Sequence, residues 1–261
     1  MARVFITGST DGLGLLAARH LLDDGHEVTL HARNDRRASD VRRAEPRASA
    51  VVVGDLSDMS ATRDVAAQVN ALGRHDAVIH NVSLGHLERR RAETVDGVEH
   101  VFAVNVIAPY LLTALITPPD RLVYVSSGMH HGADTSLGDL QWTRRHWNGS
   151  AAYSDSKFHE ILLTNAVSRR WPHIPANSIN PGWVPTRMGG RGAPDDLTLG
   201  ATTQTWLATS ADPAARVTGR YFFHREEVDP HPDVYATELQ DELLSYCADL
   251  TGTPLPQAQP A

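Results

Sequence analysis

Short β-branched and apolar runs alternate with longer amphipathic stretches along almost the whole chain. Residues 4–6, 28–30, 50–53, 77–79, 122–125, 177–179 and 220–223 have the length and composition of strands. Residues 13–24, 61–72, 98–115, 151–170 and 233–249 read as helices. In the first, Leu13, Leu16, Ala17 and Leu21 share one face, and Gly25 stands where a left-handed cap ends a helix. Pro109 predicts a kink inside the third. Strands that are apolar throughout belong in a parallel sheet covered on both faces. Regular strand–helix alternation predicts a doubly wound α/β fold of about seven strands with helices on both sides. No linker, repeat or low-complexity stretch divides it, so residues 1–253 read as one domain and residues 254–261 as a frayed Pro/Gln/Ala tail.

Composition narrows the partners. The 261 residues carry a formal charge of −7 and are 41% hydrophobic, an ordinary globular balance. An acidic excess disfavours nucleic acid and anionic membrane surfaces. A lone cysteine, Cys247, suits a reducing cytoplasm. No run approaches the ~20 apolar residues of a membrane span, and Met1-Ala2-Arg3 enters a strand without a secretory signal. Fourteen histidines invite a metal reading, but their spacing and the missing cysteines argue against one. One asymmetry matters more. The 24 basic residues are 23 arginines and a single lysine, Lys157.

Gly8-Ser9-Thr10-Asp11-Gly12-Leu13-Gly14 joins the first strand to the first helix. Glycines there let backbone approach a pyrophosphate, and the helix N-terminus offers free N–H groups and a positive dipole end. At the end of the second strand, Ala32 stands where an acid would bind a ribose 2′-hydroxyl. Arg33-Asn34 follows, with Arg36 and Arg37 behind. A guanidinium favours a 2′-phosphate, so NADP(H) is the expected cofactor.

Tyr153 and Lys157 are four residues apart on a predicted helix, hence on one face. A phenol titrates near ~10, and an ammonium at ~4 Å favours its ionised form by up to roughly three pKa units. Such a couple can serve as a proton donor near neutrality. Arginine would replace lysine for solubility or ion pairing, but not for a compact ammonium that must tune a phenol. With six tyrosines in the chain, a randomly placed lysine falls four residues after one about 2% of the time.

These motifs, in this order, resemble the short-chain dehydrogenase/reductase family from about residue 3 to 250. Thr94-Val95-Asp96-Gly97 and Asn180-Pro181-Gly182-Trp183-Val184 resemble its retinol-dehydrogenase-like branch, without that branch's membrane anchor. The resemblance implies that Ser127, rather than Ser126, binds the substrate carbonyl, and that Asn105 holds a water in a proton relay. It implies that Asp55-Leu56 meets the adenine and that Asn81 and Ser83 lie beside the cofactor ribose. Pro181, Gly182, Val184 and Thr186 would line the nicotinamide. Val82-Ser83 departs from the family's Ala-Gly. Ser127 and Tyr153 stand 26 residues apart, more than in the family's shortest members. The stretch between them reads as a flap over the substrate, and residues 188–194 as a mobile lid. The implied activity is NADPH-dependent reduction of a bulky, apolar ketone or aldehyde, in a homodimer or homotetramer. The alternatives are an NADP(H)-binding regulatory protein without turnover and an alcohol dehydrogenase working oxidatively.

Overall fold

The computed structural model describes residues 1–257. Its eight strands are β1 (Arg3–Ile6), β2 (Glu27–Ala32), β3 (Ala50–Val53), β4 (Ala77–His80), β5 (Arg121–Val125), β6 (Ala176–Asn180), β7 (Tyr221–Phe223) and β8 (Glu226–Glu227). They form one sheet in the order β3-β2-β1-β4-β5-β6-β7-β8. The first seven run parallel, in registers such as Val4↔Val28, Val4↔Ala77 and Leu122↔Ala176. β8 adds an eighth, antiparallel strand. His224 and Arg225, both left-handed at φ 49° and 68°, make the two-residue turn into it. The pattern of apolar runs missed β8 because it is an exposed Glu-Glu pair.

The helices are α1 (Gly12–Asp23), α2 (Asp35–Ala44), α3 (Met59–Ala71), α4 (His100–Phe102), α5 (Ala108–Leu115), α6 (Gly149–Arg170), α7 (Leu197–Thr209) and α8 (Thr237–Thr251). Period-two alternation sends neighbouring strand residues to opposite faces. Phe5, Val78, Leu122 and Tyr124 pack with α3, α5, α6 and α8. Val4, Ile6, Ile79 and Val123 pack with α1 and α7. Gly25 ends α1 at φ 79° as its spacing predicts. Two helices went unread: α2 is rich in Arg and Asp, and α7 is rich in threonine. The expected helix over residues 98–115 begins at His100 and widens into a π-helical turn, Ala103–Ile107. Pro109 lies just past that turn inside a continuous helical run, so the bond its missing N–H cannot make falls where the helix has already widened.

One expectation about the surface needs correction. Leu255 is buried, Pro256 O accepts Trp171 Nε1–H at 3.0 Å, and Thr253 O accepts the Tyr110 hydroxyl at 2.7 Å. The start of the expected tail is thus docked in the core, because its one leucine has an apolar slot; residues 258–261 lie outside the described residues. Every residue from Ala152 to Val167 is buried within the single chain, as is every residue from Ala103 to Thr113, with α8 packed on α6 and α3 on α5.

Candidate active site

Strand order reverses between β1 and β4, so the crevice for a ligand opens at their carboxyl ends. The Gly8–Gly14 turn leaves β1 there. Gly8 adopts φ +62°, and a Cβ on it would come 3.0 Å from Val82 Cα. A Cβ on Gly14 would lie 2.5 Å from Asn81 Nδ2. Both positions require glycine because the turn is pressed against the end of β4. Asn81 is the clamp: its Nδ2 donates to Thr7 O and Gly8 O, and its N–H donates to Thr7 Oγ1. Val82, bulkier than the family's alanine, is accommodated by packing on Gly8.

A histidine that sequence reasoning did not single out completes the cradle. His31 is buried in β2. Its Nδ1 accepts Gly8 N–H at 3.0 Å and its Nε2–H donates to Gly54 O at 2.9 Å. Only a neutral ring can do both, and burial holds His31 down at about 4. A histidine inside an apolar strand carries no sequence signal for such a role.

The cradle fits a nucleotide diphosphate. Asp11 gives α1 no side-chain cap, so the N–H groups of Gly12, Leu13 and Gly14 have no intrahelical acceptor. A Cβ on Gly12 would approach only Thr186 Cγ2, at 3.9 Å, which places Thr186 across the crevice from the turn. Several of the expected contact residues also have partners within the protein. Ser9 is wholly buried: its Oγ donates to Ile6 O and accepts His31 N–H, while its own N–H goes to His31 O. It shapes the turn and has no donor left for phosphate. Asn34 caps α2 by accepting Arg37 N–H. Leu56 is buried, so only its backbone could meet a base. Asp55 Oδ1 accepts Ser57 N–H and Oγ–H. Arg33 is exposed beside the crevice, and Arg37 donates to Thr10 Oγ1 at 2.9 Å and to Asp11 Oδ2 at 2.6 Å.

At the far side of the crevice stand the end of β5 and the first turns of α6. Ser126 Oγ donates to Lys157 O and is buried. It turns away from the crevice, whereas Ser127 stays partly exposed, its Oγ accepting Met129 N–H at 3.2 Å and retaining its own proton. The geometry favours Ser127 over its neighbour. His130 braces it by donating from Nδ1 to Ser127 O at 2.7 Å, and its Nε2 accepts His231 N–H. Lys157 Nζ lies 5.5 Å from the centre of the Tyr153 ring and donates to Val125 O at 2.9 Å and to Glu160 Oε2 at 2.5 Å. His86 meets Tyr153 edge-on at 6.1 Å, a neighbour the sequence did not suggest.

Asn105 sits inside the π-helical turn, a distortion common at functional sites. Its amide is fully used: Oδ1 accepts Leu84 N–H and Ser83 Oγ–H, and Nδ2 donates to Leu84 O and Ser156 Oγ. Asn105 and Ser83 therefore act on each other, stapling the 83–86 loop to α6. Gly182 adopts φ +84°, and a Cβ there would meet Asp195 Oδ2 at 2.6 Å. That same carboxylate accepts Trp183 N–H. Pro181 and Val184 pack on Gly200 of α7, where a Cβ would lie 2.8 Å from Pro181 O and 2.9 Å from Val184 Cγ1. Thr186 Oγ1 accepts Gly189 N–H, and Met188 lies so close to Gly85 that a Cβ there would come within 2.6 Å of it. Residues 183–195 are thus laced to themselves and close over the 83–86 loop.

The segment between Ser127 and Tyr153 is anchored rather than flap-like. Asp155 is buried on α6 and accepts both Asp134 N–H and Arg145 Nη2–H, at 2.9 Å each. Arg145 also lies 3.8 Å over the Trp142 ring. Leu137 and Leu140 enter the core. An open cleft of about 610 Å³ lined by Arg169, Arg170 and Leu255 lies at the other end of α6. Sixteen helical residues, or about 24 Å, separate it from Tyr153.

A nucleotide cradle facing a Tyr–Lys couple at the carboxyl edge of a doubly wound sheet defines an oxidoreductase of the Rossmann type. A family model described as short chain dehydrogenase matches residues 2–196. "Short-chain dehydrogenase chry4" of Gibberella zeae is 41% identical over 260 residues, covering 98% of this chain and 99% of that one. "Retinol dehydrogenase 13" of Homo sapiens is 28% identical, covering 98% and 86%. The crystal structure of an uncharacterized protein from Mycobacterium Paratuberculosis superposes with a TM-score of 0.83 at 26% identity, covering 98% and 95%. The chain belongs to the short-chain dehydrogenase family, with retinol-dehydrogenase-like relatives.

Proposed function

We propose that the protein is an NADPH-dependent reductase of ketones or aldehydes. The observation that carries this reading is the Lys157 ammonium held 5.5 Å from the Tyr153 ring, beside a crevice whose opposite wall is the open N-terminus of α1. A bound nicotinamide supplies the hydride. Ser127, with its proton free, orients the carbonyl oxygen. Tyr153 donates the proton that turns the developing alkoxide into an alcohol. Lys157 steadies the ionised phenol and holds the ribose. Asn105 supports the site by fastening the 83–86 loop rather than by lending its side chain to a water. Arg33 and Arg37 make the adenosine end cationic, which suits a 2′-phosphate. Thr10, Asp11, Gly12, Leu13 and Gly14 hold the diphosphate; Pro181, Gly182, Val184 and Thr186 hold the nicotinamide. His86, Met129, Trp183 and Met188 give the substrate side an apolar and aromatic rim. This chemistry is complete within one chain.

The test is NADPH oxidation across a panel of ketones and aldehydes, with NADH in parallel. Turnover with NADPH over NADH is expected, and Arg33→Ala narrows the preference by about tenfold or more. Tyr153→Phe lowers kcat by about 10²–10⁴ while the NADPH Kd stays within a few fold. Bound NADPH with no turnover on any carbonyl would overturn the reading.

A further inference from the structure

Lys157 is 1% exposed, and two of its three N–H donors are taken before any cofactor arrives. One goes to Val125 O. The other goes to Glu160, which stands three residues on, on the same face of α6, and is equally buried. Only Glu160 Oε2 is bonded; Oε1 has no partner among the described residues. Two more unpartnered oxygens, Ser178 Oγ and the Tyr221 hydroxyl, belong to register partners on β6 and β7, so they leave the sheet on the same side. A buried carboxyl with one oxygen bonded and one bare is a natural proton holder. Burial pushes Glu160 up to about 7, against the pull of Lys157. The other titratable groups acting with it are Tyr124 on β5 and Tyr221 on β7. Burial raises both phenols, so they stay neutral. Lys157 is the charge that answers Glu160.

We propose that Glu160 is the positioning residue of Lys157 and its proton partner: it clamps the ammonium in the empty site, and takes up a proton from solvent when the ribose hydroxyls of a bound nicotinamide nucleotide draw that ammonium away. The inference rests on the NADPH reading given above. The step balances simply. The carboxylate becomes a carboxylic acid with one solvent proton, the ammonium keeps all three of its own, and no electrons move. The clamp leaves Lys157 a single free N–H, and it spares the buried cation from standing uncompensated in the empty enzyme. It also makes cofactor binding tighter as pH falls through neutrality.

The experiment is calorimetric titration of NADPH into the wild type and Glu160→Gln at pH 7.5, in two buffers of different ionisation enthalpy. The wild type takes up about half a proton more than the variant on binding. In turnover, the Glu160→Gln profile of kcat/KM against pH loses an inflection near neutrality, and Glu160→Asp restores it. Equal proton uptake in wild type and variant overturns the proposal, whatever happens to Tm. Should Glu160→Gln fail to fold, carboxyl ¹³C shifts of glutamate in the wild type decide. One carboxyl titrating between pH 6 and 8, and moving upward with NADPH, supports the clamp; none doing so overturns it. If the wild type binds no NADPH at all, the cofactor reading has failed, and the same ¹³C titration of the free enzyme judges the buried pair separately.

Discussion

At the scale of single residues, the two serines closing β5 separate structural from chemical need. Ser126 spends its hydroxyl on Lys157 O inside the protein, and Ser127 keeps its proton toward the crevice. Ser127→Ala should lower kcat/KM by about 10²–10³, the cost of one lost donor at a developing oxyanion. Ser126→Ala should instead cost about 1 kcal/mol of stability and reduce turnover far less. Steady-state kinetics and denaturant unfolding on the pair check this, and equal losses of turnover would contradict it. Much of this site was legible beforehand. The chain has removed lysine everywhere except one helical turn past a tyrosine, and that exception announces itself. What was not legible is direction. Ser9, Asn34 and Asn105 lie in the right motifs, yet each turns its polar atoms onto the protein, and a motif does not say which way a side chain faces. Glu160 could have been noticed, because Lys157 and Glu160 have the spacing of helix neighbours.

Among elements, the strands were readable because a parallel sheet demands uninterrupted apolar runs. α2 and α7 were not, because charge and threonine hide the faces they bury. The segment from 133 to 148 shows the limit best. Its extra length suggested a substrate flap, but Leu137, Leu140 and Trp142 are buried, and a polar knot ties the segment to α6. Arg145 is the centre of that knot, reaching Asp134, Asp139 and Asp155. Asp155 lies between Tyr153 and Lys157, and burial raises its pKa while Arg145 opposes the rise. Arg145→Met would leave that carboxyl buried with its cationic partner gone. The expected loss is roughly 2–4 kcal/mol in denaturant unfolding. Activity should fall with it as the first turns of α6 loosen, and Asp155→Asn in the same background should recover part of the stability. An unchanged unfolding midpoint in Arg145→Met would mean that the segment is only draped on the surface.

Over the whole molecule, buried neutral histidines set a limit on acid tolerance. Burial holds His31 at about 4 and His80 and His159 at about 3. His80 Nε2 joins Thr113 and Tyr124 under the sheet, and His31 supports the glycine turn. In the unfolded chain each takes its proton near ~6.5. Below that pH the unfolded state binds protons that the folded state refuses, so stability falls with pH until the folded values are reached. Each histidine contributes about 1.4 kcal/mol per pH unit over that window. Three give about 4 kcal/mol per unit. His130, held at about 4 by burial, acts in the same sense. Glu160, raised to about 7, acts oppositely between pH 7 and its unfolded value near 4.5 and offsets roughly one histidine. By pH 5 the net loss is about 6 kcal/mol, comparable with the entire stability of an ordinary domain. Far-ultraviolet circular dichroism should therefore show cooperative acid unfolding with a midpoint near pH 5, steep enough to report two or more protons. His80→Gln, which can still bond Thr113, should move that midpoint downward. A fold that persists unchanged to pH 4 would show that these rings reach solvent and protonate where they stand.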